Sequence, residues 1–352
     1  MMTMPTSLLL VMALAADQRA APPSAAPPAE TQTRPAPPPS AVDQIRQDAA
    51  ALEPLAATSL EKSFLKATAS LPAISTRRLL RDKTKTHYYT EAEAARLPED
   101  ARKDLEPVEL GDAYFYNTRY GSPLAYLLPL RRLAEAGLKD VAGRRLLDFG
   151  YGSIGHLRLL ASLGADVVGV EVDPLLRALY SDPGDTGVIK GAAGRDGHLK
   201  LVDGQFPATE EARRAVGGDF DLIVSKNVLK NGYIHAAEPV DPRRLVHLGV
   251  DDDAFVRTVH QSLKPGGWFL IYNLCPAPAP PGKPYIPWAD GRSPFSKTQL
   301  EAAGFQVIAF DQDDGPAARA MGHALGWDAG EQPMDLQKDL FATWTLARRP
   351  PS

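Results

Sequence analysis

The chain has 352 residues, 44% of them hydrophobic, enough for one large core or one core with a small accessory unit. Lysine and arginine number 39 against 43 aspartates and glutamates, a formal charge of −4, so the composition encodes no general attraction to nucleic acid or to an anionic membrane. The single cysteine, Cys275, excludes an internal disulfide framework and a cysteine zinc cage.

Residues 8–16 read LLLVMALAA, an apolar run shorter than the roughly 20 residues a membrane-crossing helix needs. It suits the middle of a secretory signal, but Met1 to Ser7 supply no lysine or arginine. Residues 1–20 therefore read as a signal peptide or a disordered leader, and the chain as exported or cytoplasmic accordingly. Residues 21–42 read as a Pro/Ala-rich disordered linker, with eight of the 32 prolines inside 21–40. Residues 43–111 predict a helical extension: Leu60, Phe64 and Leu65 follow helical spacing, and Thr90 is placed to cap EAEAARL. The basic run Lys62, Lys66, Arg77, Arg78, Arg81 and Lys83 is expected to be a solvated helix face.

From residue 112 to 349 strand patterns alternate with helical ones. LLDF (146–149), DVVGVEV (166–172), LKLV (199–202), DLIVS (221–225) and WFLIY (268–272) predict strands. HLRLLASL, EARRAV and DDAFVRTVHQSL predict helices between them. KTQLEAA, FQVIAF (305–310) and FATWTLA (341–347) follow as a helix and two strands. This alternation predicts an α/β fold with a doubly wound, mostly parallel sheet.

DFGYGSIG (148–155) lies between the first strand and its helix. Gly150 and Gly152 permit torsions and a ligand approach that a Cβ obstructs, and the helix start offers free N–H groups. As letters, Gly150, Gly152 and Gly155 also spell a dinucleotide fingerprint, so an NAD(P)-linked oxidoreductase is an alternative. Glu171, 23 residues after Asp148 (171 − 148), can take two ribose hydroxyls with either cofactor. Three features separate the two. Asp148 favours a cationic ammonium and disfavours a pyrophosphate. Asp203 and Gly204 end the third strand with an acceptor for an exocyclic amine and room for a ring. LKPGGWFLIY forms a helix end, a turn and a strand.

With these residues the chain resembles the class I (Rossmann-like) S-adenosylmethionine (SAM)-dependent methyltransferases over about 112–349. The resemblance implies a SAM cofactor and an antiparallel final strand. It also implies that Asp148, Gly150 and Gly152 surround the methionine part, Glu171 the ribose, and Asp203 with Gly204 the adenine. Ser225, Lys226 and Asn227 would approach the cofactor and border the substrate. The family's third glycine falls at Ile154 here, one residue before Gly155.

Methyl transfer from a sulfonium is an in-line displacement, so positioning and water exclusion dominate and a base helps a hydroxyl acceptor. The segment 225–241 offers His235 as a candidate base, with Tyr233 beside it; structural bonding and packing are the competing roles. Tyr116, Asn117, Arg119 and Tyr120 are candidates for closing over SAM, and Tyr285, Trp288 and Arg292 for acceptor contacts from the proline-rich insertion 275–295. SKNV stands where amino-group DNA methyltransferases carry [DNS]-P-P-[YF], and the seven histidines form no metal-ligand pair, so no metal is expected. The expected activity is methyl transfer to an O or N atom of a small or medium-sized acceptor, without nucleic acid or membrane insertion. A non-catalytic binding protein on the same fold is the remaining alternative.

Overall fold

A computed structural model describes residues 40–117, 121–192 and 194–351. The leader, most of the linker, Arg119 and Tyr120 lie outside the described residues. The first helix, Ala41–Leu52, begins inside the stretch read as linker, because the Ser40 hydroxyl accepts from Asp43 N and caps it. A second helix, Ser59–Lys66, starts on a capping box between Thr58 and Glu61. Thr90 caps Glu91–Ala94 in the same way, as its sequence predicts.

The extension also contains a small antiparallel sheet that helical periodicity did not foresee. It is built from β1 (Arg77–Arg81), β2 (Tyr88–Tyr89) and β3 (Glu106–Leu110), in the order β2-β1-β3. Arg77, Arg78 and Arg81 therefore sit on a strand rather than on a helix face. Arg77 is not solvated: it lies over Phe115 and pairs with Asp185, which is buried.

Among the described residues, eight strands form the main sheet. They are β4 (Arg145–Phe149), β5 (Asp166–Glu171), β6 (Gly187–Ile189), β7 (Gly197–Asp203), β8 (Phe220–Lys226), β9 (Leu263–Cys275), β10 (Gln306–Asp313) and β11 (Phe341–Arg348). Their order is β10-β11-β9-β8-β4-β5-β7-β6. β9, β8, β4, β5 and β7 run parallel, while β11 is antiparallel to both β9 and β10. The chain leaves β4 toward β5 and β7 and later returns to β8 on the other side. This puts the switch point between β4 and β8, where ligands of such sheets bind. Two local differences from expectation have simple causes. β6 has three residues, too few for a period to show. LKPGG forms the irregular start of β9 rather than a free turn, with Gly266 at φ +81° donating its N–H to Arg349 O.

Successive strand residues feed two cores, as strand geometry requires. Leu147, Val168, Ile223 and Phe269 face one side with Phe255, Phe295 and Phe305. Leu146, Val167, Leu222 and Leu270 face the other. That second core includes Val42, Ile45, Leu52, Leu60 and Phe64 of the extension. The extension thus covers one face of the sheet rather than standing apart. A buried Glu61 anchors it by accepting from Arg131 Nε at 2.8 Å.

Candidate functional site

The glycine turn follows β4 at its carboxyl end. Gly150 and Gly152 adopt φ +75° and +62°, the left-handed region that side chains resist. Gly150 N donates to Val170 O at 2.9 Å, and Gly152 N donates to Glu171 Oε2 at 3.3 Å. The turn is therefore tied to the end of β5. Glu171 Oε1 accepts from Val172 N at 2.8 Å. Burial raises the Glu171 pKa above the ordinary carboxylate value, and these two N–H groups oppose the rise. Glu171 is paired in register with Asp203 of β7, so the two acids end adjacent parallel strands. A cleft of about 360 Å3 opens beside both, and Tyr151 of the glycine turn helps to line it. The Asp203 side chain is 48% exposed, and its pKa is raised by burial of the remainder. Gly204 leaves 3.1 Å between a hypothetical Cβ and Ala212 Cβ.

Asp148 sits deeper. Its Oδ2 accepts from Tyr126 OH at 2.7 Å and pairs with His156 Nε2 at 2.8 Å. Tyr126 stacks on His156 with centroids 3.7 Å apart. Burial lowers the His156 pKa despite the carboxylate, and raises that of Tyr126 well above its usual value. Asp148 Oδ1 is buried with no hydrogen-bond partner. An acceptor in that state is costly unless something donates to it. Lys226, at the end of β8, places its ammonium 5.5 Å from the centre of the Tyr126 ring. Burial, then the neighbouring Lys230, lowers its pKa to about 7, while Asp148 opposes the shift.

The turn after β8 packs directly on the glycine turn: a Cβ on Gly150 would lie 2.6 Å from Val228 Cγ2. Ser225, near the end of β8, and Asn227, in the turn itself, brace it. Ser225 Oγ accepts from Leu229 N at 3.4 Å. Asn227 has φ +65°, and its Oδ1 accepts from Leu274 N at 2.7 Å. Both side-chain oxygens thus fix the turn and its seat on β9. The buried Lys230 donates to Leu274 O at 2.6 Å and Trp288 O at 3.2 Å. Asn231 and Gly232 bind Asp290 and Arg292 of the insertion, and Tyr285 OH accepts from Ala237 N. The proline-rich insertion is thereby fastened to the segment after β8. Tyr233 is buried under Lys230, 5.5 Å from ring centre to ammonium. His235 is 44% exposed and pairs with Asp252 at 2.9 Å.

The fold thus brings Glu171, Asp203 and Tyr151 of the glycine turn together at one cleft, which Asp148, Gly150, Gly152 and Gly204 do not line. His235 and Tyr233 do not line that cleft. Tyr116 is a core residue whose hydroxyl donates to Pro72 O at 2.5 Å. Gly155 also has a packing role. A Cβ there would meet Tyr116 O and lie 2.9 Å from Pro123 Cβ, so it admits the segment before β4. Sequence reasoning missed Tyr126, His156 and Arg177. Only His156 left a signal: a histidine in the first turn of helix Gly155–Ser162, the turn nearest the β4 end. Among the described residues, no group of three His, Cys, Asp or Glu side chains could hold a metal, and no helix is long and apolar enough to cross a membrane.

A protein-family model described as a methyltransferase domain matches residues 120–310, more than half of the chain. Curated protein sequences return no match. Among solved structures, the (4+2)-cyclase SpnF is similar at 18% identity and a TM-score of 0.40, covering 68% of this chain and 86% of that one. A sarcosine dimethylglycine methyltransferase, so described, from Galdieria sulphuraria is similar at 12% identity and a TM-score of 0.38, covering 66% and 88%. A SAM-dependent methyltransferase from Mesorhizobium loti is similar at 20% identity and a TM-score of 0.38, covering 64% and 98%.

Proposed function

The chain belongs to the methyltransferase-domain family, the SAM-dependent enzymes its sequence resembles, and from that premise we propose that it methylates an O or N atom of a small or medium-sized acceptor. One observation carries the cofactor reading: Tyr151 of a glycine turn and two carboxylates that end adjacent strands line a single cleft, and the turn is tied to one of those carboxylates. Glu171 keeps acceptor capacity for a ribose diol, and Asp203 is open to an exocyclic amine. Asp148 fits the cationic end of the donor, because its buried Oδ1 has no other donor. The same oxygen repels a pyrophosphate, which weighs against a dinucleotide at this turn. A Cβ would crowd Val228 at Gly150 and Ala212 at Gly204, and Gly152 holds a positive φ that side chains resist.

When bound, SAM supplies an activated methyl on a sulfonium. The protein's part is to orient and to exclude water. Ser225 and Asn227 fix the turn that borders the donor, and the insertion held by Lys230 walls the acceptor side. Such a wall suits an enclosed small acceptor rather than an extended polymer. Calorimetric titration with SAM, S-adenosylhomocysteine and NAD tests the reading. SAM and S-adenosylhomocysteine should bind and NAD should not, with Asp148→Ala and Glu171→Ala weakening the first two while the fold is retained. Absence of SAM and S-adenosylhomocysteine binding at millimolar ligand overturns it.

A further inference from the structure

Arg177 lines the cleft from helix Pro174–Leu179, directly after β5. Its guanidinium reaches in two directions. Nη1 donates to Glu93 Oε1 at 2.5 Å, and Nη2 donates to Tyr88 O at 2.9 Å. Both partners belong to the N-terminal extension. On the other side, Nε stands 4.0 Å from Asp203 Oδ2. Glu93 is itself fixed, because its Oε2 accepts from Thr90 N at 2.8 Å in the capping box. The anchor is therefore rigid at both ends: a capped helix holds the carboxylate, and the carboxylate holds the fork of the arginine.

We propose that Arg177 is a positioning residue for the adenine end of the cofactor, held by the extension so that its charge keeps Asp203 an acceptor for the exocyclic amine. This rests on the cofactor reading above. The physical reason is a balance at one carboxylate. Burial favours the protonated form of Asp203, and Arg177 is the cation that opposes it. A protonated carboxyl offers a donor where the amine needs an acceptor. Glu171 and Asp173 face the same cleft and add negative potential, while His198 and Lys200 line it from β7. The extension then does more than cover a sheet face: through Glu93 and Tyr88 it completes the cofactor cleft.

The test compares S-adenosylhomocysteine with S-inosylhomocysteine, in which an oxo group replaces the amine, by calorimetry across pH. Wild type should prefer the adenosyl ligand. Arg177→Met should reduce that preference by up to about fivefold on the acidic side, where Asp203 takes up its proton, as removal of a partly screened charge at this distance implies. The pH at which adenosyl binding fails on acidification should also move upward. Glu171 titrates in both proteins and so does not produce the difference. Arg177→Lys should restore much of the pH profile, since it returns the charge without the fork. Glu93→Gln, which loosens the anchor, should give a smaller loss and serves if Arg177→Met fails to fold. A purely structural role would lower the melting temperature and leave both the preference and the pH profile unchanged; that outcome overturns the inference and spares the cofactor reading. A wild-type protein that binds both ligands equally overturns the inference too. A wild-type protein that binds neither overturns the cofactor reading and the inference with it.

Discussion

The two sides of the sheet's switch point use their polar groups differently. On the side of β4, β5 and β7, acceptors are left with capacity to spare: Glu171 takes only two backbone N–H groups, Asp203 is half open, and Asp148 Oδ1 has no partner. On the side of β8 and β9, the polar groups of the turn are spent within the protein, apart from Lys226, whose ammonium lies over the Tyr126 ring. Asn227 holds Leu274, Lys230 holds two carbonyls, and Asn231 holds Asp290. A loop rich in polar residues beside a site is therefore not by that fact a ligand shell. Unspent hydrogen-bonding capacity separates binding groups from scaffolding ones, because a buried acceptor without a donor is costly and a satisfied one is not.

The strongest test of this contrast is at Gly150, where the two sides touch. Gly150→Ala forces a side chain into the left-handed region and against Val228. It should destabilise the protein by about 3 kcal/mol in denaturant unfolding and abolish S-adenosylhomocysteine binding. Glu171→Ala probes the donor side alone. Affinity for S-adenosylhomocysteine should fall about tenfold or more, with an unfolding free energy within about 1 kcal/mol of wild type. An unchanged affinity would place the ribose elsewhere.

Lys230→Met probes the other side. Two carbonyls lose their donor, so stability should fall by about 1 kcal/mol and limited proteolysis should speed up within 276–292. S-adenosylhomocysteine affinity should stay within about twofold, and a larger loss would show that the two sides are not separable.

The buried cations give a pH signature. The Lys226 pKa is about 7 in the fold and about 8 for Lys230, against an ordinary lysine value of 10.5. Between these values and 10.5 the unfolded chain binds more protons than the folded one. Stability should therefore rise as pH increases from about 7 toward 10. Lys226→Met should flatten that rise in denaturation curves taken at several pH values, leaving the part due to Lys230. The smallest effect is expected at His235, whose contact with Asp252 is partly exposed. His235→Ala should change stability by no more than about 0.5 kcal/mol and leave donor affinity unchanged.

The sequence by itself determined seven of the eight strands of the main sheet in their chain order, and the residues at the strand ends. Alternation of period 2, N-caps such as Thr90, and the glycine turn are local signals, and local signals survive in a string of letters. It did not determine the sheet in the extension, because β1 and β3 are short and pair over a separation of nearly thirty residues. Nor did it separate Ser225 and Asn227, which fasten a turn, from Glu171 and Asp203, which face a cleft. Asp148 stood out for its charge before a glycine turn, but Tyr126 and His156 acquired their place beside it only when the chain folded. Arg177 is the clearest case: nothing near it in sequence marks it, yet the fold sets it between Glu93 and Asp203. Which polar groups remain unspent is a property of partners distant in the chain, and only the tertiary structure decides it.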